Sequence, residues 1–177
     1  MEFKVGKSKL MLLQGDITKQ ATDAIVNAAN EFLSPGGGVS GAIHRAAGSK
    51  LWDECKKLGG CKTGEAKITK GYNLQTRHVI HTVGPVYSNK PVDKVNLKKS
   101  YRNSLEIAKK NNLKSISFPS ISTGIFGYPV EEAAEIAIKT IANFLKENSE
   151  VMLVQMILFS KEDFEIYKTA ASKYFNK

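Results

Sequence analysis

Long apolar stretches are missing from this chain of 177 residues, and cysteine occurs only twice. Apolar runs such as residues 10–13 and 151–159 are too short to cross a bilayer, which takes about 20 consecutive apolar residues. The first residues also lack the pattern of a signal peptide. We therefore expect a cytoplasmic protein that does not associate with membranes.

The two cysteines do not form a recognisable functional motif. Cys55 and Cys61 are not part of a C-x-x-C pair, and no histidine lies near them at the spacing of a metal site. We expect both to be reduced, structural thiols, and we predict no metal centre. Repeats, linkers and low-complexity tracts are absent as well, so the sequence predicts a single domain spanning residues 1–177 with its own core.

Positive charge exceeds negative charge, with a formal net charge of +9. This balance favours anionic partners, because a positive field accelerates association with phosphates or nucleic acid. The lysines are nevertheless spread along the whole chain, and the denser groups at residues 56–57 and 98–110 carry no stacking motif. We interpret them as a solvated surface in preference to a dedicated nucleic-acid groove.

Short β-type runs alternate with helical patterns along the chain. The predicted strands are residues 9–14, 24–28, 66–69, 78–83, 115–118 and 151–159. The predicted helices are residues 41–58, 93–110, 129–146 and 161–174. A parallel strand needs a crossover that covers the faces of the sheet, so the alternation predicts a three-layer α/β/α sandwich with a central mixed, mostly parallel sheet.

A glycine-rich loop follows the predicted strand at residues 24–28. Asn30 stands just beyond the carboxyl end of that strand, Gly36, Gly37 and Gly38 come next, and a helix is expected from about Ser40. In open α/β sheets ligands bind at this end of the strands. Glycines allow close approach of the backbone, and a helix start favours anions. The loop therefore predicts a phosphate or diphosphate site.

A second loop of similar composition occupies residues 120–129, SISTGIFGYP. It also follows a predicted strand, and it leads through Pro129 into an amphipathic helix. Two glycine-bearing loops at one sheet edge indicate a narrow cleft for a diphosphate.

Two other motifs are nearly matched but fail. Residues 59–63, GGCKT, differ from a P-loop because Cys61 stands where glycine must precede the lysine. Residues 38–42 differ from the G-x-S-x-G nucleophile elbow because Ala42 fills the last position. A serine hydrolase would also need a histidine well downstream of Ser40, and all three histidines precede most of the chain.

Three segments together resemble the macrodomain, a module that binds ADP-ribose. They are GDITKQATDAIVNAANEFLSPGGGVSGAIHRAAG, HVIHTVGP and SISFPSISTGIFGYP, and the resemblance covers nearly the whole chain in the family's order. The sequence is most similar to the MacroD-like branch. That resemblance implies a monomeric hydrolase without metal or cofactor, which removes mono-ADP-ribose from acidic side chains of proteins or deacetylates O-acetyl-ADP-ribose. The Cys and His pattern of a zinc-dependent branch is absent. A non-catalytic reader of ADP-ribosylated proteins is the alternative, and nucleic-acid binding is a third, less supported possibility.

The resemblance also implies a role for each site residue. Asp16, with the Ile17 backbone beside it, would bind the adenine, and Phe159 would flank the base. Asn30 would hold the distal ribose under Phe126, while Asn27 would brace the loop through backbone hydrogen bonds. The implied ligand-binding residues are Asp16, Ile17, Asn30, Gly36, Gly37, Gly38, Val39, Ser122, Thr123, Gly124, Ile125, Phe126 and Phe159.

Catalysis is assigned by the same resemblance to Asn30, Gly38 and Ser40. Hydrolytic MacroD-like proteins usually carry aspartate at the position of Ser40, where it helps to orient or activate the attacking water. Serine cannot act as a carboxylate base, but its hydroxyl can position a water. We therefore expect measurable but modest hydrolysis. His44 is expected to be structural, and at least one of His78 and His81 to be a satisfied, half-buried side chain.

Overall fold

A computed structural model describes residues 1–177, which form seven strands, five α-helices and one short 3₁₀ turn at Ile17–Lys19. The strands are β1 Glu2–Val5, β2 Ser8–Gln14, β3 Ala24–Ala28, β4 Ala66–Lys70, β5 His78–Thr82, β6 Ser115–Phe118 and β7 Leu153–Leu158. The helices are α1 Gly38–Ala47, α2 Ser49–Lys57, α3 Pro91–Lys110, α4 Val130–Glu147 and α5 Lys161–Phe175. None of these helices combines the length and the apolar character that a membrane span requires.

The seven strands form one sheet in the order β1-β2-β7-β6-β3-β5-β4. The five strands from β2 to β5 in this order run parallel, and the two outermost strands, β1 and β4, pair antiparallel with their neighbours. The predicted mixed, mostly parallel sheet is therefore confirmed. Helix α3 connects β5 to β6 and α4 connects β6 to β7, as is usual for parallel strands, whereas the connection from β2 to β3 contains only the short 3₁₀ turn.

Apolar side chains cover both faces of the sheet, which makes three layers. In β3, Ala24 and Val26 belong to the larger cluster, whereas the intervening Ile25 belongs to the smaller one. Successive strand residues point to opposite faces, so the two clusters lie on opposite sides of the sheet. Helices α3, α4 and α5 contribute to the larger cluster, and α1 and α2 contribute to the smaller one.

One predicted element was wrong, and one strand was not predicted. The predicted helix at residues 41–58 is two helices, because Gly48 has a φ of 85° and interrupts the helical backbone between α1 and α2. Strand β1 was not predicted, since its sequence EFKV is short and half polar. It is held by antiparallel pairing with β2 across a tight turn at Gly6, which has a φ of 59°.

The carboxyl ends of the parallel strands together form one edge of the sheet, and the segments that matter for function follow the strands there. Asp16 follows β2, Asn30 follows β3, Gly84 follows β5, the loop at residues 120–129 follows β6, and Phe159 follows β7. The fold thus gathers most of the predicted site residues at the carboxyl ends of neighbouring strands, where open α/β sheets bind ligands.

Candidate functional site

A cleft of about 400 Å³ lies at the carboxyl ends of β3 and β6. One wall is the glycine loop with the start of α1, and the other is the loop at residues 120–126. The lining residues are Ala28, Ala29, Asn30, Gly36, Gly37, Gly38, Val39, Ser40, Gly84, Ser120, Ile121, Ser122, Gly124, Ile125 and Phe126. None of them carries an ionisable side chain, so the cleft would bind a charged ligand through hydrogen bonds and backbone dipoles.

The first wall presents the amino terminus of a helix. Helix α1 begins at Gly38, two residues before the expected start, and no side chain caps it. The amide of Gly41 donates to the carbonyl oxygen of Gly37 at 3.2 Å, so the amides that precede it have no acceptor within the helix. Gly38 has a φ of 55°, which glycine adopts without strain. Free amides and the helix dipole together make this wall suited to an anion.

The second wall is held firmly from behind. The Tyr101 hydroxyl accepts a hydrogen bond from the amide of Ile121 at 3.1 Å, and the hydroxyls of Ser120 and Tyr167 lie 2.8 Å apart. The amide of Tyr128 closes the loop by donating to the Ser122 carbonyl oxygen at 2.9 Å. The tip is different, because Ile125 is fully exposed and Phe126 is half-buried beside the cleft. The loop is therefore held in place near the sheet, while the accessible apolar side chains of Ile125 and Phe126 are free to pack over a ligand.

Two serine hydroxyls face the cleft without a partner. Ser40 and Ser122 are only 5% and 6% exposed, and neither Oγ makes a hydrogen bond within the protein. A buried hydroxyl without a partner costs about 1–3 kcal/mol, so both are ready to bond a polar group of a ligand. They lie on opposite walls, one on α1 and the other on the second loop. The cleft can therefore form hydrogen bonds to a polar ligand from both walls.

The bracing role that was expected of Asn27 belongs to Asn30. Asn30, not Asn27, braces the glycine loop: its Oδ1 accepts from the amides of Phe32 at 3.0 Å and Ser34 at 3.2 Å, and its Nδ2 donates to the Ser34 carbonyl oxygen at 3.0 Å. The expectation for Asn27 was wrong, because this side chain is fully buried and its Nδ2 lies 3.1 Å from Nδ1 of His81. Asn30 still lines the cleft, so contact with a ligand remains compatible with its bracing role.

Comparison with known proteins decides the family. The model of the Macro domain family matches residues 26–137 of this chain, a span that contains both walls of the cleft. The chain belongs to the macrodomain family. A macro domain-containing protein of Chlorobaculum tepidum is 54% identical, and the match covers 89% of this chain and 92% of that protein.

Further relatives support the MacroD-like branch that the sequence predicted. The Xenopus laevis protein named ADP-ribose glycohydrolase MACROD2 is 49% identical over 96% of this chain, which spans only 41% of that longer protein. The Oceanobacillus iheyensis macrodomain solved with ADP superposes with a TM-score of 0.95 at 47% identity, covering 99% of this chain and 96% of that one. The Trypanosoma brucei macrodomain solved with ADP-ribose gives a TM-score of 0.86 at 43% identity, covering 90% and 68%.

Four of the predicted site residues lie outside the cleft of this macrodomain. Asp16 and Phe159 stand at the ends of the neighbouring strands β2 and β7, with Phe159 82% exposed, and Ile17 is buried beside Asp16. The hydroxyl of Thr18 donates to Asp16 Oδ1 at 2.7 Å and is the main cause of the lowered pKa of this carboxyl. Thr123 turns its hydroxyl toward Ser120 Oγ at 2.8 Å. These residues can therefore extend the cleft along the sheet edge but do not line it.

The sequence interpretation missed several residues that do line the cleft. They are Ala28, Ala29 and Gly84; Ser120 and Ile121 lie in the predicted second loop, but no ligand contact was assigned to them. Gly84 is the most informative, because a methyl group added there would collide with the side chains of Ile121 and Ser122. Its signal in the sequence was the GP pair that follows the strand HVIHT after one intervening residue, Val83.

Two buried histidines lie close together, His44 on α1 and His81 on β5, with ring centroids 6.5 Å apart. His81 is fully buried between Asn27 and the Thr69 hydroxyl, which lies 2.9 Å from its Nε2, and burial lowers the pKa of His81 to about 3. His44 has no hydrogen-bond partner in the protein, and burial lowers its pKa as well. His78 is half-buried with its Nδ1 3.2 Å from the Thr69 carbonyl oxygen, so the expectation of a satisfied histidine on this strand is confirmed. The two buried imidazoles are therefore neutral at physiological pH.

The two thiols are buried and do not line the cleft. Burial raises the pKa of Cys55 and of Cys61 to about 11, so neither is a thiolate under physiological conditions. No three side chains of histidine, cysteine, aspartate or glutamate converge in a way that could hold a metal ion.

Proposed function

We propose that this macrodomain binds ADP-ribose in the cleft and hydrolyses mono-ADP-ribose from acidic side chains of proteins. The observation that carries the proposal is the pair of unpartnered hydroxyls, Ser40 and Ser122, on opposite walls beside an uncapped helix start. Relatives named ADP-ribose glycohydrolase and related structures solved with ADP and ADP-ribose support the same ligand.

The ligand would lie along the sheet edge. Its diphosphate would accept hydrogen bonds from the amides at the start of α1 and from the Ser122 hydroxyl. The adenine would extend toward Asp16 and Phe159, which follow β2 and β7, and the distal ribose would extend toward Asn30. In this arrangement the bond to the modified acceptor would point out of the cleft past the first loop.

The chemistry has to proceed without a side-chain base in the cleft, because no lining residue is ionisable near neutral pH. We infer that the substrate's own phosphate accepts the proton of the attacking water, while the Ser40 hydroxyl orients that water. Water then adds a hydroxyl to the released ADP-ribose, and the acceptor regains its carboxylate. The acetyl ester of O-acetyl-ADP-ribose is a second substrate that the same arrangement would accept.

The absence of a carboxylate at position 40 also favours a second candidate function, a reader that binds ADP-ribosylated proteins without cleaving them. Single-turnover release of label from a mono-ADP-ribosylated acceptor separates the two. General-base assistance is typically worth about 100- to 10,000-fold, so the natural protein should turn over slowly and Ser40→Asp should be faster by at least about tenfold. Ser40→Ala should slow the release by a few fold.

A matched control removes a hydroxyl elsewhere. Ser149 is exposed and lies before β7, at the edge of the sheet opposite the cleft. Ser149→Ala should therefore leave the release rate unchanged. ADP-ribose affinity is measured by calorimetry for each variant. Normal affinity with no release at saturating enzyme would establish the reader function, and a large loss in Ser40→Ala would show that the hydroxyl takes part in the chemistry directly.

A further inference from the structure

A second cavity, a groove of about 490 Å³, lies between α4 and the amino-terminal half of α3. Its end nearest the cleft is formed by Tyr87 and Tyr128, whose ring centroids are 5.0 Å apart. The amide of Tyr87 donates to the carbonyl oxygen of Phe126 at 2.8 Å, and Phe126 lines the cleft. The loop at residues 120–129 therefore separates the groove from the cleft and contributes residues to both.

The groove carries positive charge that the protein does not neutralise. Four of its lining residues are lysines, Lys90, Lys94, Lys98 and Lys139, and none of them takes part in any of the eight ion pairs of the structure. Of the two lining carboxylates, Glu135 is paired with Lys173 at 3.0 Å. Only Glu132 offsets the lysines, so the groove attracts anions.

The spacing of the lysines suits an extended peptide. Lys90 directly precedes α3 as its N-cap, and Lys94 and Lys98 follow at intervals of four residues, which places Lys94 and Lys98 about 6 Å apart along the helix axis. Side chains on one face of an extended chain recur every two residues, about 6.6 Å apart. Acidic side chains at alternate positions of a bound strand would therefore meet these lysines one by one.

We propose that this groove binds an acidic, extended segment of the modified protein, next to the residue whose ADP-ribose occupies the cleft. The inference rests on the proposed hydrolase function and adds to it a preference for acceptors with several neighbouring carboxylates. The lysines contribute affinity for the acceptor chain, and the cleft recognises the ADP-ribose. The charge pattern of the acceptor thus sets which modified sites are processed fastest.

Two peptides test the preference. Each carries one ADP-ribosylated glutamate, and the flanking alternate positions hold either glutamate or glutamine. An exposed ion pair typically strengthens binding by about twofold, so three of them should raise kcat/KM for the acidic peptide by roughly eightfold over the neutral one. In Lys90→Gln/Lys94→Gln/Lys98→Gln this ratio should fall to about one, and in the natural protein it should shrink as salt is added.

The matched control removes the same charge at the opposite edge of the sheet. Lys7, Lys110 and Lys114 are exposed and form no ion pair, so Lys7→Gln/Lys110→Gln/Lys114→Gln should keep the ratio of the natural protein. Equal kcat/KM for the two peptides in the natural protein, or an equal drop of the ratio in both triple variants, would overturn the proposal.

Binding of an unmodified peptide distinguishes failure of the groove from failure of the hydrolase function. If neither modified peptide is hydrolysed, fluorescence anisotropy with the unmodified acidic peptide still reports on the groove. The natural protein should bind it at least fivefold more tightly than the groove variant does. A single-stranded oligonucleotide that binds more tightly than this peptide, and loses more affinity in the groove variant, would show that the groove serves nucleic acid and overturn the peptide assignment.

Discussion

Replacing Gly84 with alanine should move one wall of the cleft. An added methyl group would lie 2.5 Å from Ile121 Cγ2 and closer still to Ser122 Oγ. Carbon atoms in contact prefer a separation of about 3.5–4.0 Å, so Ile121 would have to move by about 1 Å. The backbone of Ile121 is fixed by the Tyr101 hydroxyl, and the loop therefore has little freedom to relax.

The magnitude follows from this conflict. Overpacking of a well-filled site typically costs about 1–3 kcal/mol of stability, and Gly84→Ala should fall in that range. If Ser122 bonds the ligand as proposed, its displacement would also remove that hydrogen bond and lower ADP-ribose affinity by about fivefold or more. Ser122→Gly in the Gly84→Ala background should restore part of the stability, because it removes the colliding side chain and suits the φ of 68° at that position.

Urea unfolding and calorimetry measure the two effects. Gly124→Ala is the matched control for folding, since a methyl group there meets no atom within 4 Å and its φ is not positive. If Gly84→Ala unfolded at the same urea concentration as the natural protein and bound ADP-ribose equally well, the close contact between β5 and the second loop would not constrain the cleft. Strict additivity of the Gly84 and Ser122 changes would refute the collision as the cause.

Four further predictions concern other residues. Histidine in the unfolded chain is protonated below about pH 6.5, whereas His81 in the folded protein stays neutral down to about pH 3. The free energy of unfolding should therefore fall by about 2 kcal/mol from pH 7.5 to pH 5. Urea titrations of His81→Gln should show a smaller fall over the same range. Burial raises the pKa of Asp23, but the amide of Lys114 and the Arg77 ion pair lower it overall, so its stabilisation is present above about pH 3.9 and is lost in acid. Asp23→Ala should cost about 1–3 kcal/mol in chemical denaturation at pH 7. Asp16→Ala should reduce the preference for ADP-ribose over ribose 5-phosphate in calorimetry, and an unchanged preference would contradict the adenine assignment. Asn30→Ala should weaken ADP-ribose binding and slow hydrolysis more than Asn30→Asp does, because aspartate still accepts hydrogen bonds from the loop amides. Equal effects of the two variants would contradict the bracing role of Asn30.

Local patterns were enough to predict the buried centre of the fold. Strands β3 and β6 have the bounds that their apolar runs predicted, because both are buried and bordered by turn residues. Strand β1 could not be found in this way, since EFKV has few apolar residues and depends on pairing with β2. The break at Gly48 was also missed, because a glycine within a helical pattern does not reveal whether the chain will take a positive φ there.

The site was predicted in position but not in its internal contacts. The two loops could be placed at one sheet edge because each follows a parallel strand. Which asparagine braces the glycine loop depended on where the chain turns after β3, and the N-A-A-N pattern leaves both choices open. Gly84 lies far from either loop in sequence, and it reaches Ser122 because β3 pairs with β5 on one side and with β6 on the other.

The loop at residues 120–129 is a shared wall, with Phe126 toward the cleft and Tyr128 toward the groove. An occupant on either side that shifts this wall changes the free energy of binding on the other. Thermodynamic reciprocity then requires ADP-ribose and the acceptor chain to alter each other's affinity by the same factor. Hydrolysis removes the covalent link between the two occupants, so each product loses the effective concentration that binding of the other gave it, and both would leave the protein faster.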